Sequence, residues 1–388
     1  MGLTTLAAGA TMEEGASPAP SRFYKPELDG LRFVAFFGVF LHHAFPQMPD
    51  WYAWKGLAAP LPEIAAAFVR AGGFGVDLFF VLSAFLITEL LLREHELRGR
   101  IDVPAFLSRR ALRIWPLFFF FVAVSLLTDR MLLERAGLTG GYVVAFLALA
   151  GNWACALLGY PDSVAAPLWS ISIEEQFYLA FPLVLARMGP VRLRALAVAL
   201  LIIGAISRAL TVWAGTTHPA VWCSTFCRVD TIGVGILLAV SLRRIHVWAP
   251  RPLMRLFLGA GGLLLWIVVE LAFPVAEQTL VGVSIGYPMI YVGAAGMLLA
   301  ALGSRSSLGS RPLVALGRIS YGLYVYHVLA IALAGIALQY GPAAIRDWPA
   351  FVALAFGLTV TFAIASYRVL EAPFLRLKER FTVVPSRG

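Results

Sequence analysis

The residues best suited to chemistry lie in one apolar stretch, Glu27 to His43, with the sequence ELDGLRFVAFFGVFLHH. Arg32 and His43 are eleven residues apart. At about 100° and about 1.5 Å per residue, a helix brings both to nearly the same face, about 16 Å apart. Ionisable groups inside a bilayer are costly and mark functional sites. Arg32 could instead reach the headgroups, but that explanation does not suit His43, so the spacing predicts a site on the first membrane helix.

A basic cluster, Arg109, Arg110 and Arg113, stands in the sequence SRRALRIWP. Forked guanidinium groups suit the phosphates of a nucleotide-like ligand. The same cluster could instead only fix membrane topology and contact anionic lipids. Composition alone favours that second explanation.

Two further stretches place polar groups on apolar helices. In LWSISIEEQFYL, Ser172, Glu174 and Tyr178 crowd the start of a helix, where one of the adjacent acids could cap the helix and the other could turn into the bundle. Such an acid could orient a histidine or bind a hydroxylated acceptor. In ISYGLYVYH, Tyr324 and His327 share a helix face. An interfacial belt explains the tyrosines but not His327.

The elements that must position these residues follow from composition. Of 388 residues, 60% are hydrophobic and 14% charged, and mean hydropathy is +0.81, which predicts a multi-pass membrane protein. The net charge of +9 comes from short clusters between apolar runs, a pattern typical of membrane topology and not of nucleic-acid binding. Three cysteines make neither a disulfide framework nor a metal set, and we expect no metal.

Eleven apolar segments could cross a bilayer, at about 30–48, 74–92, 114–128, 142–158, 172–186, 195–214, 228–242, 256–273, 285–302, 319–339 and 350–370. The Lys and Arg residues of the loops require an even number of crossings between Arg113 and Arg187, so one segment does not span. Segment 114–128 is our choice for this re-entrant or interfacial element, and 142–158 is the alternative. The expected fold is an all-α bundle of about ten transmembrane helices, with both termini cytoplasmic.

We expect one membrane domain at residues 25–375, between a disordered cytoplasmic tail at 1–24 and a cytoplasmic tail at 376–388. The polar N-terminal residues lack the pattern of a cleaved signal. No internal repeat is visible in the sequence.

Taken together, these stretches resemble the acyltransferase 3 family of integral-membrane acyltransferases, from about Lys25 to Phe374. ELDGLR with His43 is similar to the family's Arg-x10-His motif. RRALRIWP resembles its basic element, and LWSISIEEQFYL resembles its Ser-x-Glu signature, with Glu174 as the matching acid. FFVLSAFLIT has Ala84 where glycine is usual, and CRVDTIGVG, with Arg228 and Asp230, ISYGLYVYH and SYRVLEAPF also match. Many members carry an appended hydrolase-like domain, which we do not expect here.

The resemblance implies transfer of an acyl group, usually acetyl, from cytoplasmic acyl-CoA to a hydroxyl of a carbohydrate, glycolipid or related acceptor at the inner membrane. His43 would be the base, or would itself be acylated and relay the group. The catalytic set would be His43, Arg32 and Glu174, with Glu174 fixing the tautomer of His43 or receiving the acceptor. Arg109, Arg110 and Arg113 would bind acetyl-CoA, and the expected acceptor-binding residues are Ser172, Tyr178, Tyr324, His327, Arg228 and Asp230.

Two other functions fit a membrane bundle with buried charges. A transporter or flippase would use them to line a substrate path, but the sequence lacks the related halves common in transporters. A scaffold in a polysaccharide-assembly complex would leave the intramembrane His and Arg without purpose. Binding of labelled CoA discriminates the first alternative from the enzyme. The acceptor stays open among lipopolysaccharide, exopolysaccharide, peptidoglycan, glycolipids and secondary metabolites.

Overall fold

Helices account for the regular structure in the computed structural model, which describes residues 24–245, 248–340 and 347–381; no strand occurs in these ranges. The helices are α1 (Pro26–Ala44), α2 (Pro49–Trp54), α3 (Leu61–Ala71), α4 (Gly75–Arg98), α5 (Val103–Met131), α6 (Gly140–Leu147), α7 (Gly151–Leu158), α8 (Trp169–Met188), α9 (Leu193–Trp213), α10 (Ala220–Cys223), α11 (Thr225–Leu242), α12 (Pro252–Ala272), α13 (Tyr287–Ala301), α14 (Arg311–Arg318), α15 (Ser320–Gln339), α16 (Trp348–Ser366) and α17 (Ala372–Lys378).

Eight helical segments of the described chain are long and apolar enough to cross a membrane. They contain α4, α5, α9, α11, α12, α13, α15 and α16. Helices α1 and α8 are 19 and 20 residues long, and they pack among these spans while carrying the charged residues singled out above. The predicted all-α, multi-pass membrane fold is confirmed.

The choice of segment 114–128 as the non-spanning element is wrong. That segment lies inside α5, whose 29 residues exceed the length that a bilayer crossing needs. The alternative, 142–158, is instead divided into α6 and α7, each of eight residues. The backbone of Leu149 between them has a φ of +56°, which ends helical geometry. A helix of eight residues is only about 12 Å long and cannot cross.

Short connections make successive spans alternate in direction, so the bundle has two distinct faces. We call the side at which α1 begins the basic face, because its connections and the adjoining helix ends carry many arginines (Arg98, Arg100, Arg187, Arg192, Arg243, Arg244, Arg251, Arg305). The carbonyl of Phe381, after α17, accepts a hydrogen bond from Arg109 near the start of α5, so the end of the described chain lies on this face too. The other side is the opposite face. The predicted tail at 1–24 lies outside the described residues except for Tyr24, and the tail at 376–388 is described only to Phe381.

Helix α1 is held at the centre of the bundle by close backbone contacts. A Cβ atom placed on Gly72 would lie 2.3 Å from the carbonyl oxygen of Gly38, so only glycine permits this approach of the segment before α4 to α1. Helix α1 also packs on α14 and α15. These contacts fix the depth at which the residues of α1 face the interior.

Candidate active site

Two cavities penetrate the described bundle from its two faces. Cavity 1 lies at the basic face between α1, α4, α5, α8 and α15, and its empty space, together with the solvent at its mouth, is about 1220 Å³. Cavity 2 lies at the opposite face, beside the end of α1 and the start of α8, with about 940 Å³. Residues at the start of α1 line cavity 1, and residues at its end line cavity 2.

Tyr324 and Val76 line both cavities and therefore form the boundary between them. The Tyr324 hydroxyl lies 2.7 Å from Oγ of Ser170 and donates to the carbonyl of Pro167 at 3.0 Å. These bonds fix the phenol ring against the start of α8. The boundary is thus one side chain thick at Tyr324.

His43 lies on the wall of cavity 2, and its tautomer follows from its partners. Its Nδ1 lies 2.9 Å from the carbonyl oxygen of Val39 and 3.3 Å from Nε2 of His327. Because a carbonyl oxygen can only accept, Nδ1 carries the proton. Nε2 is then an unprotonated acceptor without a partner among the described residues, on an exposed ring that lines the cavity. Such an atom can take a proton or attack a carbonyl carbon.

His327 stands behind His43 and does not line either cavity. Its Nδ1 lies 2.5 Å from the carbonyl of Tyr324, so that Nδ1 carries the proton and Nε2 accepts from His43. The ring is fully buried and lies edge-on to Phe36. His327 therefore contacts the histidine and not the cavity, which differs from the acceptor-binding position expected from the sequence.

His42, the neighbour of His43, has both ring nitrogens occupied. Nδ1 donates to the carbonyl of Arg70 at 3.1 Å, and Nε2 accepts from the amide nitrogen of Gln47 at 3.3 Å. Both histidines line cavity 2, but only His43 keeps a nitrogen that no described residue contacts. Of the two histidines, His43 is therefore the one with a ring nitrogen that has no partner among the described residues.

Cavity 1 collects the positive charges expected near the basic face. Lys25, Arg32, Arg110 and Arg113 line it, against the carboxylates of Asp29 and Glu174. Arg32 pairs with Asp29 at 2.7 Å. The Arg110 guanidinium lies over the rings of Phe106 and Tyr178, and its Nε has no hydrogen-bond partner among the described residues. A half-buried cation with an unused N–H group is a candidate for binding an anionic ligand.

Glu174 lies in cavity 1 and does not contact His43, so the expectation that it fixes the His43 tautomer is wrong. It accepts hydrogen bonds from Ser83 at 2.8 Å and from Tyr178 at 3.1 Å. The backbone carbonyl of Val39 performs the role assigned to the acid. The reason is packing, because α8 turns Glu174 toward α4 on the other side of the Tyr324 boundary.

Besides His327, four of the predicted residues line neither cavity. Arg109 pairs with Glu94 at 2.9 Å, and Ser172 donates back to the carbonyl of Leu168 at 3.4 Å. Both are buried between helices. A charge buried without a partner is strongly destabilising, so Arg109, which helix packing places in the interior, pairs with Glu94 and is not available to a ligand.

Arg228 and Asp230 likewise form buried ion pairs in place of an acceptor site. Arg228 pairs with Asp77 at 2.6 Å, and Asp230 pairs with Arg208 at 2.5 Å. All four side chains are buried. The motif CRVDTIGVG therefore joins α11 to α4 and α9. Arg228 does not line cavity 2 itself but contacts Trp222, which does.

Sequence reasoning missed several residues that line cavity 2. Arg70 and Glu270 form an ion pair at 3.0 Å although they lie 200 positions apart. Trp169, Trp222 and His218 also line the cavity. Glu270 could have been noticed as a charged residue within an apolar run, but nothing in the sequence indicates that its partner is Arg70.

Desolvation by neighbouring groups changes the pKa of two residues in the connections at the opposite face, although part of each side chain is exposed. Desolvation lowers the pKa of His218 from its usual 6.5. The same cause raises the pKa of the Tyr160 hydroxyl well above its ordinary value. The two rings lie 5.9 Å apart, and both are neutral at pH 7, so neither adds charge to cavity 2.

Among the described residues, no group of three or more His, Cys, Asp or Glu side chains could hold a metal ion.

Comparison with known proteins gives one family and a set of bacterial relatives. Residues 25–368 match the acyltransferase 3 family, described as an acyltransferase domain. Two proteins named O-acetyltransferase OatA, from Staphylococcus aureus strains NCTC 8325 and COL, are each 27% identical over 380 residues. A relative from strain MSSA476 is 27% identical over 377 residues. These alignments cover 90% of this chain and 57% of each relative, so the chain spans little more than half their length. No solved structure matches the chain.

Proposed function

The chain belongs to the acyltransferase 3 family, and we propose that it is a membrane O-acyltransferase that moves an acetyl group from acetyl-CoA to a hydroxyl of a carbohydrate or related acceptor. The names of its relatives support the class of reaction.

The observation that carries the proposal is the unpartnered Nε2 of His43 on the wall of cavity 2. It lies on the same helix as Arg32, which lines cavity 1. One helix thus presents a base to one cavity and a cation to the other. A transferase that receives its two substrates from opposite faces of a membrane needs this arrangement.

Cavity 1 suits the donor because acetyl-CoA carries phosphates. Arg110 and Arg113 would bind these phosphates near the basic face, which we assign to the cytoplasm by the positive-inside rule. The narrow pantetheine arm would then extend past Arg32 toward Tyr324. Movement of the Tyr324 ring would bring the thioester to His43.

The reaction can be written for His43 as a general base. Nε2 takes the proton of the acceptor hydroxyl while the hydroxyl oxygen attacks the thioester carbonyl carbon. The C–S bond breaks, and the CoA thiolate takes the proton back from Nε2, which restores neutral His43. During the step His43 is an imidazolium, and Nε2 of His327 accepts its Nδ1–H bond and stabilises that charge.

The test uses purified protein in lipid nanodiscs with acetyl-CoA labelled in the acetyl group. His43→Ala should abolish transfer to a hydroxylated acceptor while acetyl-CoA still binds, because cavity 1 is unchanged. The matched control is His42→Ala, which removes the neighbouring histidine whose nitrogens are already occupied and should lower transfer by less than about tenfold. Transfer by His43→Ala at the wild-type rate would overturn the proposal.

Acid quenching of the wild type with donor alone distinguishes the two roles of His43. A general base leaves no label on the protein. Label recovered on a peptide containing His43 would replace the base by an acyl relay. Failure of wild-type protein to bind acetyl-CoA would instead favour a transporter.

A further inference from the structure

Cavity 2 differs from cavity 1 in its charge. Of the residues that line it, Arg70 and Glu270 carry opposite charges and pair with each other at 3.0 Å. The remaining polar groups include Gln47, Tyr160 and His218. A ligand with a net charge would find no unpaired counter-charge on this described wall, whereas an uncharged polyol would find hydrogen-bonding groups.

Aromatic rings form one side of cavity 2. Trp169, Trp222 and Phe74 line it together, with ring centroids of Trp222 6.0 Å from Trp169 and 5.9 Å from Phe74. Trp222 is half-buried, so part of its indole surface is accessible. An indole face is a flat apolar surface that accepts the axial C–H groups of a saturated ring.

Arg228 stacks on the indole ring of Trp222 on the side away from cavity 2. Its guanidinium carbon lies 4.3 Å from the centre of the indole ring, a cation–π distance, and the guanidinium is fixed by the 2.6 Å bond to Asp77. Because Arg228 occupies one face, the surface that Trp222 gives to the cavity belongs to its other face and edges. The contact assigns the buried Arg228 the role of fixing the Trp222 ring, whereas the sequence suggested that Arg228 binds the acceptor directly.

We propose that Trp222 is the stacking platform for an uncharged sugar ring of the acceptor, and that Arg228 is a positioning residue that fixes the platform. The inference rests on the proposed transferase function and narrows its acceptor to neutral rings. Arg70 and Glu270, which pair with each other, and the side-chain amide oxygen of Gln47 line the same cavity and would supply hydrogen bonds at the rim of the ring. A hydroxyl at the other rim would then face Nε2 of His43.

The test compares Trp222→Ala and Trp222→Phe with Trp213→Ala, a control in which the lost tryptophan is 84% exposed at the end of α9 and lies outside both cavities. The acceptors are methyl β-D-glucopyranoside, its uronate analogue and the open-chain polyol sorbitol. Trp222→Ala should raise KM for the neutral glycoside about tenfold or more, with little change for sorbitol, since only the ring stacks. Trp222→Phe should lie between wild type and Trp222→Ala, and Trp213→Ala should match the wild type.

Arg228→Lys tests the positioning role. Lysine keeps the charge beside Asp77 but removes the planar group under the indole. It should raise KM for the glycoside with kcat and acetyl-CoA affinity unchanged, and Trp222→Ala/Arg228→Lys should show no further increase beyond Trp222→Ala. Additive effects of the two substitutions would overturn the positioning role.

Saturation-transfer NMR with the methyl glycoside and no donor keeps failure of the platform distinct from failure of the transferase. Glycoside binding lost in Trp222→Ala supports the platform whether or not transfer occurs. Absent glycoside binding by the wild type, or equal use of the uronate and the neutral ring, overturns it. Glycoside binding without acetyl-CoA binding counts against the transferase function alone.

Discussion

Nε2 of His327 lies 3.3 Å from Nδ1 of His43, and the carbonyl of Tyr324 fixes the proton of His327 on its other nitrogen. The two histidines come from α1 and α15, which are separated by 284 positions in the chain. The pair resembles the orienting half of a catalytic triad, with a neutral acceptor in place of a carboxylate. It orients the ring of His43 so that Nε2 faces cavity 2.

We expect His327→Ala to lower kcat by roughly tenfold to a hundredfold, because His43 keeps its Val39 bond but loses the acceptor that stabilises its imidazolium form. KM for acetyl-CoA should not change. His327→Gln, whose amide oxygen can accept the same bond, should recover part of the rate. Equal rates for the Ala and Gln variants would mean that His327 only fills space.

Arg110 and Arg109 make a matched pair with opposite expected effects. Arg110→Ala should weaken acetyl-CoA binding about tenfold or more, since a charge-assisted bond to phosphate is lost. Arg109→Ala should leave that affinity unchanged and lower the thermal unfolding temperature, because Glu94 stays buried without its partner. Isothermal titration and a dye-based melt of the same preparations measure both. Weaker binding in Arg109→Ala alone would contradict the assignment.

Tyr324→Ala should join the two cavities. Water could then reach the thioester, so hydrolysis of acetyl-CoA without acceptor should rise roughly severalfold while transfer falls. Tyr324→Phe keeps the ring and should not show this hydrolysis. Tyr326→Ala removes a tyrosine from the same helix that lines neither cavity, and serves as the control. Release of free CoA, followed with a thiol reagent, reports the leak.

His218 should make the protein less stable as pH falls. Partial desolvation holds the pKa of this exposed side chain in the folded protein below the unfolded value of 6.5, so the unfolded chain binds more protons just below that pH. This contribution to stability is complete above about pH 6.5 and is lost as pH falls toward the folded pKa. The melting temperature of wild type should therefore drop more than that of His218→Gln between pH 7 and pH 5. Equal changes in melting temperature with pH for the two proteins would contradict this role of His218.

The sequence by itself determined the helical membrane fold, the approximate positions of its long helices and the placement of Arg32 and His43 along one face of the first helix. These features depend on apolar run length and on the 3.6-residue period, which are properties of one segment. The period also placed Tyr324 and His327 on one face of α15.

Only the tertiary structure decided what each face meets. It paired His43 with His327 and not with Glu174, turned Arg110 into cavity 1 and Arg109 toward Glu94, and set Arg228 behind Trp222. It also showed that α5 is a long span and that 142–158 is broken. A helix period gives the angle of a side chain about its own axis, but the neighbour at that angle depends on the packing of helices hundreds of residues apart, which no local pattern encodes.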